Sequence, residues 1–486
     1  MSHRGPVRFE GRGPGQTVQR NGGGLVTALE GLVQEVGQAR WICAPASADD
    51  QDAARAGRWA EFATGAASAD VLMLDLDADA HSDFYNVIAN PLLWFVQHGL
   101  YADKAPSIDT RVLRAWHRGY VEVNRVFARA LTHPMVVPRD GIVMIHDYHF
   151  YLLPAMIRPA RPDVLLHHFT HIPWPAPAAW SVLPAPMRSA VFRGLLGSDI
   201  VGFQTRGDAR NFLLGCRELL GLPVDFRRSS VVFERREITV RHYPISINAT
   251  AIEAAGSTPA VESFRREIAR DVPGQLVLRV DRADPSKNIV RGFEAFGRML
   301  RAHRECHGRV TFLALLQPTR GDVPEYGEYL RQIHAVVDDV NREFSTPEWT
   351  PIDLRLVDDL ELAYAAYKQF DVLMVNSVAD GMNLVVKEAL VLNENDGVAV
   401  LSERAGAFDE LAGVVVDVDP VDVDQQARAL HEALVMPIAE RRRRLQLGAD
   451  IVHHNDINKW LDNQLADIAS AKRVASASRS SLRPAS

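Results

Sequence analysis

The chain of 486 residues carries 54 Lys and Arg against 61 Asp and Glu, a formal net charge of -7, with 47% hydrophobic and 24% charged residues. That length suits two domains and the composition suits a globular protein; the acidic balance gives no electrostatic basis for nucleic-acid binding, and no apolar run is long enough to span a membrane. Cys43, Cys216 and Cys306 are widely spaced, which fits neither a disulfide framework nor a zinc site and points to a reducing, cytoplasmic compartment. The N-terminus has no signal-peptide apolar region. The basic run Arg441 to Arg444 reads as one face of a helix.

Ser2 to Val7 leads into a polar, glycine-rich loop ending Asn21-Gly22-Gly23-Gly24, followed by an amphipathic helix through Leu29, Leu32 and Val33. Glycines before a helix can bring backbone N–H groups to a diphosphate, although a plain connector is the bland alternative. Trp41 to Ala44 predicts a strand. Val71 to Asp77 ends in Asp-x-Asp, but no second acidic cluster completes a metal site, so a surface turn is expected. Tyr85 and Trp94 flank Asn90-Pro91 and offer polar atoms beside apolar surface, suited to core packing or to a ligand phosphate. Gly141 to Ile145 predicts a buried strand ending in His146-Asp147-Tyr148-His149. Leu165 to Phe169 predicts the next, ending in His171-Ile172-Pro173-Trp174-Pro175. Asp147 and His171 thus fall at one sheet edge, a pattern that favours a site over a structural histidine. Ile200 to Thr205 predicts another strand. Val231 to Phe233 and Ile238 to Tyr243 predict a hairpin, and Pro244 to Ile247 closes the half.

From about Thr258 the alternation of strand and helix restarts, which predicts a second open sheet. Leu276 to Val280 is a strand followed by Arg282 and Lys287, two cations on one turn. Thr311 to Leu316 precedes Arg320-Gly321-Asp322. Ile352 to Leu356 and Val372 to Val375 are further strands. The second of these runs into Asp380-Gly381-Met382-Asn383-Leu384-Val385-Val386-Lys387-Glu388, where a helix starts. A helix N-terminus presents free N–H groups and a partial positive charge. Glu388 falls one to two turns into that helix, within reach of a sugar hydroxyl. Two cations facing such a helix start are what a metal-free diphosphate site needs. Val398 to Leu401 precedes Ser402 to Ala407. Helices fill Val421 to Val452, a last one begins near His454, and Ala471 to Ser486 has the composition of a disordered tail.

Taken together, His146 to His149, His171 to Pro175, Gly202-Phe203-Gln204-Thr205, Arg282 with Lys287, Arg320 to Asp322 and Asp380 to Glu388 resemble, in order, the trehalose-6-phosphate synthase family of retaining glycosyltransferases. The resemblance runs from Arg4 to about Trp460. It implies the α/β GT-B architecture, two Rossmann-like βαβ domains facing a central cleft. Residues 1–248 would form the acceptor domain, with its first strand shortened because only Met1-Ser2 precede His3, where the family commonly has asparagine. Residues 249–453 would form the donor domain, residues 454–470 a helix crossing back to the first domain, and residues 471–486 the tail.

The resemblance further implies the residue roles. Arg282 and Lys287 would clamp the donor diphosphate, assisted by the backbone of Gly381, Met382, Asn383 and Leu384 and approached by Gly23 and Gly24. Glu388 would hold the donor ribose and Asp380 the transferred sugar. His171 would lie near that sugar's C6 hydroxyl. Asp147 would bind the acceptor sugar, and Arg4, Tyr85, Trp94 and Arg320 its 6-phosphate. His171, Asp147, Arg282, Lys287 and Asp380 form the implied catalytic set, with no metal and no cofactor. The implied reaction is front-face transfer of glucose from a nucleotide diphosphate glucose to glucose 6-phosphate, with domain closure excluding water. A separate trehalose-phosphate phosphatase would use the product, and a homo-oligomer is compatible with the sequence. UDP, GDP and ADP donors all remain open. A C–N-coupling pseudo-glycosyltransferase acting on an aminocyclitol phosphate, a glucosylglycerol-phosphate synthase and a non-catalytic sugar-phosphate sensor are the alternatives. The lack of a Gly-x-Gly-x-x-Gly after a strand argues against a dinucleotide dehydrogenase.

Overall fold

A computed structural model describes residues 1–11, 16–21, 24–65, 67–101, 106–272 and 274–481. The chain divides into two compact units, Met1–Pro244 with Ile457–Ser486, and Ile245–Asp456. No helix among the described residues is long and apolar enough to cross a membrane.

In the first unit, β1 (Val7–Glu10) and β2 (Thr17–Arg20) form an antiparallel hairpin in the region expected to be a loop. Next come β3 (Gln38–Cys43), β4 (Trp59–Thr64) and β5 (Ala67–Met73), in the order β3-β5-β4. A six-stranded sheet follows, built from β6 (Ile142–His146), β7 (Leu165–Phe169), β8 (Ile200–Phe203), β9 (Val224–Asp225), β10 (Ser230–Phe233) and β11 (Arg236–His242), in the order β6-β7-β8-β11-β10-β9. Its first four strands are parallel, and β11 is both the hairpin partner of β10 and the parallel neighbour of β8. Every residue of β7 and β8 is buried, as a parallel sheet covered on both faces requires.

Met1–His3 forms no strand of its own, yet it is bonded on both sides. The terminal amine donates to Met144 O at 2.8 Å and His146 N donates to Met1 O, the alternation of a parallel pair. On the other side Ser2 N donates to Ile42 O and Ala44 N to His3 O. Three residues therefore hold the position between β3 and β6. Burial pushes the terminal amine down to about 5. The chain leaves this point towards β3 and later returns to β6 on the other side, so it is a switch point, where open α/β sheets place ligands.

Two helices of the first unit have π geometry, Asp83–Leu93, which contains Pro91, and Trp116–Val121. Asp77 accepts from Ala80 N at 2.9 Å and caps the helix Ala78–Ser82, so Asp-x-Asp is a helix start. The last helix runs Ile457–Ser481, eleven residues past the predicted end at 470. Alanine, the strongest helix former, favours that continuation in a stretch whose Ser, Ala and Arg content suggested a disordered tail. Ile468 packs on Leu165 and Ile200, and Leu461 lies against Gly31.

The second unit holds one parallel sheet of β12 (Gln275–Arg282), β13 (Val310–Gln317), β14 (Ile352–Leu356), β15 (Val372–Val375), β16 (Val398–Ser402) and β17 (Val416–Val418). The order is β14-β13-β12-β15-β16-β17, so the chain reverses direction across the sheet between β12 and β15. The carboxyl ends of these two strands carry Arg282 to Lys287 and Asp380 to Glu388. Each arginine of the run Arg441 to Arg444 has a partner in this unit: Asp371 at 2.9 Å, Asp396 at 2.8 Å, and Glu440 at 2.7 and 2.8 Å.

Candidate active site

In the first unit, Asp147 and His171 meet at the ends of β6 and β7. Asp147 N donates to Phe169 O at 2.7 Å, and Asp147 Oδ1 accepts from His171 N at 3.1 Å. Asp147 makes both bonds at φ 75°, ψ 174°, a region that side chains other than glycine avoid. The turn is held from beneath by the second π-helix and the residues after it. Tyr120 Oη donates to Tyr148 O at 2.5 Å, and Asn124 Nδ2 donates to His149 O at 3.1 Å.

The His171 ring lies with Nε2 3.1 Å from His146 Nδ1. His146 Nε2 is buried with no partner among the described residues. A buried lone pair is tolerated better than a buried N–H, so His146 carries its proton on Nδ1 and donates it to His171. His171 then carries its own proton on Nδ1 and presents an N–H. Burial holds His171 at about 3, and His146 below its ordinary value, so both rings are neutral across the physiological range. Phe169 meets the His171 ring edge-on at 4.6 Å, and Trp460 of the last helix packs on both rings at 5.5 and 6.3 Å.

Tyr85 and Trp94 both stem from the first π-helix and its continuation. Tyr85 is stacked on His3 at 5.0 Å, and His3 on His149 at 4.6 Å. Trp94 is buried, stacked on His98 at 4.1 Å and edge-on to Tyr148 at 5.6 Å. Tyr148 Oη donates to Asn90 Oδ1 at 2.7 Å, which ties the π-helix to the Asp147 turn. Arg4 is exposed beside this cluster in sequence. Gly24 opens the helix Gly24–Val36, and Gly23 lies outside the described residues.

In the second unit, Lys287 Nζ lies 2.5 Å from Asp380 Oδ2 and 3.7 Å from Asp281 Oδ1. Burial lowers Lys287, but the two carboxylates outweigh it and the net shift is upward, so the ammonium stays charged. Asp380 also accepts from Ser377 Oγ at 3.3 Å and Asn383 Nδ2 at 3.1 Å. The loop after β16 fixes the motif's backbone: Gly406 N donates to Asp380 O at 3.0 Å and Ala407 N to Met382 O at 2.7 Å. Asn383, at φ 80°, caps the helix Leu384–Leu392 through Val386 N at 3.1 Å. The N–H groups of Gly381, Met382, Asn383 and Leu384 have no acceptor among the described residues. That leaves four successive donors at a helix start, beside a fixed cation.

Glu388, one turn on, has no hydrogen-bond partner among the described residues, and burial pushes its carboxyl up to about 7. Arg282 ends β12, partly exposed, and its carbonyl accepts from Asp284 N at 2.7 Å. Arg320 belongs to this unit, unlike Arg4, Tyr85 and Trp94. Its side chain is 5% exposed, lying 3.1 Å from Asp284 Oδ2 with Tyr326 Oη as a second partner.

Several supporting residues escaped the sequence reading. Arg279 is fully buried, 3.8 Å from Asp281, and donates to Lys287 O and to Asn376. The signal was present: Val277, Arg279 and Asp281 share one face of β12 at period two. A Cβ on Gly292 would lie 3.2 Å from Arg279 Nη2, so this glycine makes room for the guanidinium. Lys387, within the motif, is buried against Glu410 at 2.5 Å and Ile245 O at 3.0 Å, and so anchors the helix.

The family model described as Glycosyltransferase family 20 matches residues 1–470. The chain belongs to glycosyltransferase family 20. It is 30% identical over 465 residues to the Dictyostelium discoideum alpha,alpha-trehalose-phosphate synthase [UDP-forming] A, covering 95% of this chain and 61% of that relative. It thus spans about three fifths of that protein's length. A trehalose-6-phosphate synthase of Mycobacterium avium is 31% identical, with 96% of this chain and 94% of the relative covered. Among solved structures of the family, a UDP-forming synthase from Burkholderia xenovorans in complex with glucose-6-phosphate superposes with a TM-score of 0.82 at 26% identity, covering 92% and 97% of the two chains. The family-20 fold is the two-domain GT-B architecture, and both sheets described above fit it.

Proposed function

We propose that the chain transfers glucose from UDP-glucose to glucose 6-phosphate with retention at the anomeric carbon, forming α,α-trehalose 6-phosphate. The observation that carries this reading is the run of four N–H groups, Gly381 to Leu384, with no acceptor among the described residues, beside the Lys287–Asp380 pair at the switch point of the second sheet. The names of the Dictyostelium and Burkholderia relatives support UDP as the leaving group and glucose 6-phosphate as the acceptor.

Breaking the bond from the anomeric carbon to phosphate puts negative charge on the diphosphate. Lys287, Arg282 and the four N–H groups neutralise it, so no metal is needed in the step. Glu388 holds the ribose hydroxyls. Asp380, with Lys287 fixing its carboxylate, holds hydroxyls of the transferred glucose. His171 donates from Nδ1 to that sugar, while Asp147 accepts from hydroxyls of the acceptor. Arg4, Tyr85 and Trp94 hold the 6-phosphate. The acceptor hydroxyl forms the new bond and loses its proton to the departing phosphate. The three cysteines are free thiols, which supports a cytoplasmic setting.

The test is the linkage of the product. Incubation with UDP-glucose and glucose 6-phosphate is expected to give a disaccharide phosphate whose two anomeric protons are both α by NMR. A β linkage, or UDP release with free glucose as the only sugar product, overturns the reading.

A further inference from the structure

Behind Lys287 lies a row of side chains that alternate in charge. Arg279 Nη1 is 3.8 Å from Asp281 Oδ2, Asp281 Oδ1 is 3.7 Å from Lys287 Nζ, and Lys287 Nζ is 2.5 Å from Asp380 Oδ2. Side-chain exposure rises in the same order, from 0% at Arg279 to 17% at Asp380. The row therefore runs from the core of the second unit to the ligand edge of its sheet.

Its inner end is fixed in place. Arg279 Nη1 donates to Lys287 O at 3.1 Å, and Nη2 donates to Asn376 Oδ1. Asn376 Nδ2 in turn donates to Asn288 O at 3.2 Å and to Gln426 Oε1 at 2.7 Å, on the helix Val423–Val435. Both oxygens that accept from the guanidinium are neutral, so its counter-charge is Asp281. Arg279 Nε is buried with no hydrogen-bond partner among the described residues. A buried ion pair is costly in a packed core, and this one opens only towards Lys287.

We propose that Arg279 and Asp281 are positioning residues for sugar transfer: the guanidinium holds Asp281 as an anion, and that anion holds the Lys287 ammonium between itself and Asp380, where the leaving diphosphate meets it. The role rests on the reaction proposed above, in which Lys287 neutralises that diphosphate. With Asp281 neutral, Asp380 alone draws on the ammonium, and Lys287 leaves the line of the phosphates. Burial raises the Asp281 carboxyl; Lys287, Arg279 and Arg282 oppose the rise, and Asp380 adds to it. Two phenols also face the pair, Tyr367 towards Asp281 and Tyr329 towards Arg279. Burial raises both, so they stay neutral across the physiological range. Loss of the Arg279 charge therefore raises Asp281 further.

The test uses the full chain labelled with [ε-¹³C]lysine. The Lys287 resonance, assigned by its loss in Lys287→Met, is followed against pH beside kcat for transfer from UDP-glucose to glucose 6-phosphate. In the wild type that resonance should show an acidic step as Asp281 gains its proton. Arg279→Met should move the step up by about 1–3 pH units, the usual effect of one opposite charge at this range. The acid limb of kcat should move with it, while KM for glucose 6-phosphate is unchanged. Arg279→Lys, which keeps the charge, should leave both near the wild-type position. Asp281→Asn, nearly isosteric, should abolish the step and lower kcat at least about tenfold at every pH, less than the loss of Lys287 itself. That variant tests the pair even if Arg279→Met disturbs packing. A wild-type resonance with no Asp281-dependent step, or wild-type kcat in Asp281→Asn, overturns the assignment. A chain that shows the step and makes no disaccharide phosphate overturns the reaction instead, with the coupling of Arg279, Asp281 and Lys287 upheld.

Discussion

Asp147 offers a test in which stability and activity move apart. Its backbone, at φ 75° and ψ 174°, lies where a Cβ costs about 1–3 kcal/mol. Its carboxylate recovers part of this by accepting from His171 N at 3.1 Å, a charged bond of about 1.5–3 kcal/mol. Asp147→Ala loses the bond and keeps the strain. Asp147→Gly loses the same bond and relieves the strain, less about 0.4–1 kcal/mol for the freer unfolded chain. The glycine variant should therefore exceed the alanine variant by about 0.5–2 kcal/mol, or about 1–4 °C in melting temperature. Both should have lost nearly all glucosyl transfer, because neither can accept from the acceptor's hydroxyls. Thermal melts followed by tryptophan fluorescence, with turnover on the same preparations, read both effects. An alanine variant at least as stable as the glycine variant would refute the strain argument, and wild-type turnover in either would refute the acceptor role.

Further consequences concern the donor loop and the rear of the site. Arg282→Ala and Lys287→Met should each lower kcat by about 10²–10³-fold, the usual cost of removing one fixed donor to developing charge, with circular dichroism unchanged. Glu388 is raised from 4.5 to about 7, so the fold favours its neutral form: its contribution is fully present below the unfolded value and is lost as pH rises through 7. Glu388→Gln should therefore stabilise the protein at pH 8 relative to pH 4 by up to about 3 kcal/mol, at about 1.4 kcal/mol per pH unit, as measured by urea denaturation at the two pH values. The same substitution should weaken UDP binding above pH 7 in calorimetry. Trp460→Ala should cost about 3–5 kcal/mol in urea melts, because the buried indole backs Phe169 and His171, and should lower kcat as the imidazole loses its rear support.

Much of this was legible in the sequence because parallel strands buried on both faces read as short apolar runs, and the polar residues that follow them mark the ligand edge. Leu165–Phe169, Ile352–Leu356 and Val372–Val375 have the bounds their apolar runs predict. Asp147 with His171, and Lys287 with Asp380, are brought together as strand ends of neighbouring β strands would bring them. What escaped depends on register and distance along the chain. The His146–His171 pair follows from the β6–β7 alignment, which sets His146 opposite Phe169. Trp460 reaches Phe169 from nearly three hundred residues away. The β1–β2 hairpin is too short to show periodicity. The π geometry around Pro91 leaves no sequence period of its own. The ion pair of Arg320 with Asp284, at 3.1 Å, joins residues thirty-six apart on the ends of two strands and left no signal in the sequence.

The central claim is that backbone N–H groups and two cations, without a metal, carry the departing diphosphate. The direct measurement is turnover in excess EDTA with glucose 6-phosphate and, separately, UDP-, GDP- and ADP-glucose, read by mass spectrometry. A disaccharide phosphate is expected at the metal-replete rate, with UDP-glucose the preferred donor. No product from folded, EDTA-treated protein, restored by added Mg²⁺ or Mn²⁺, would contradict it.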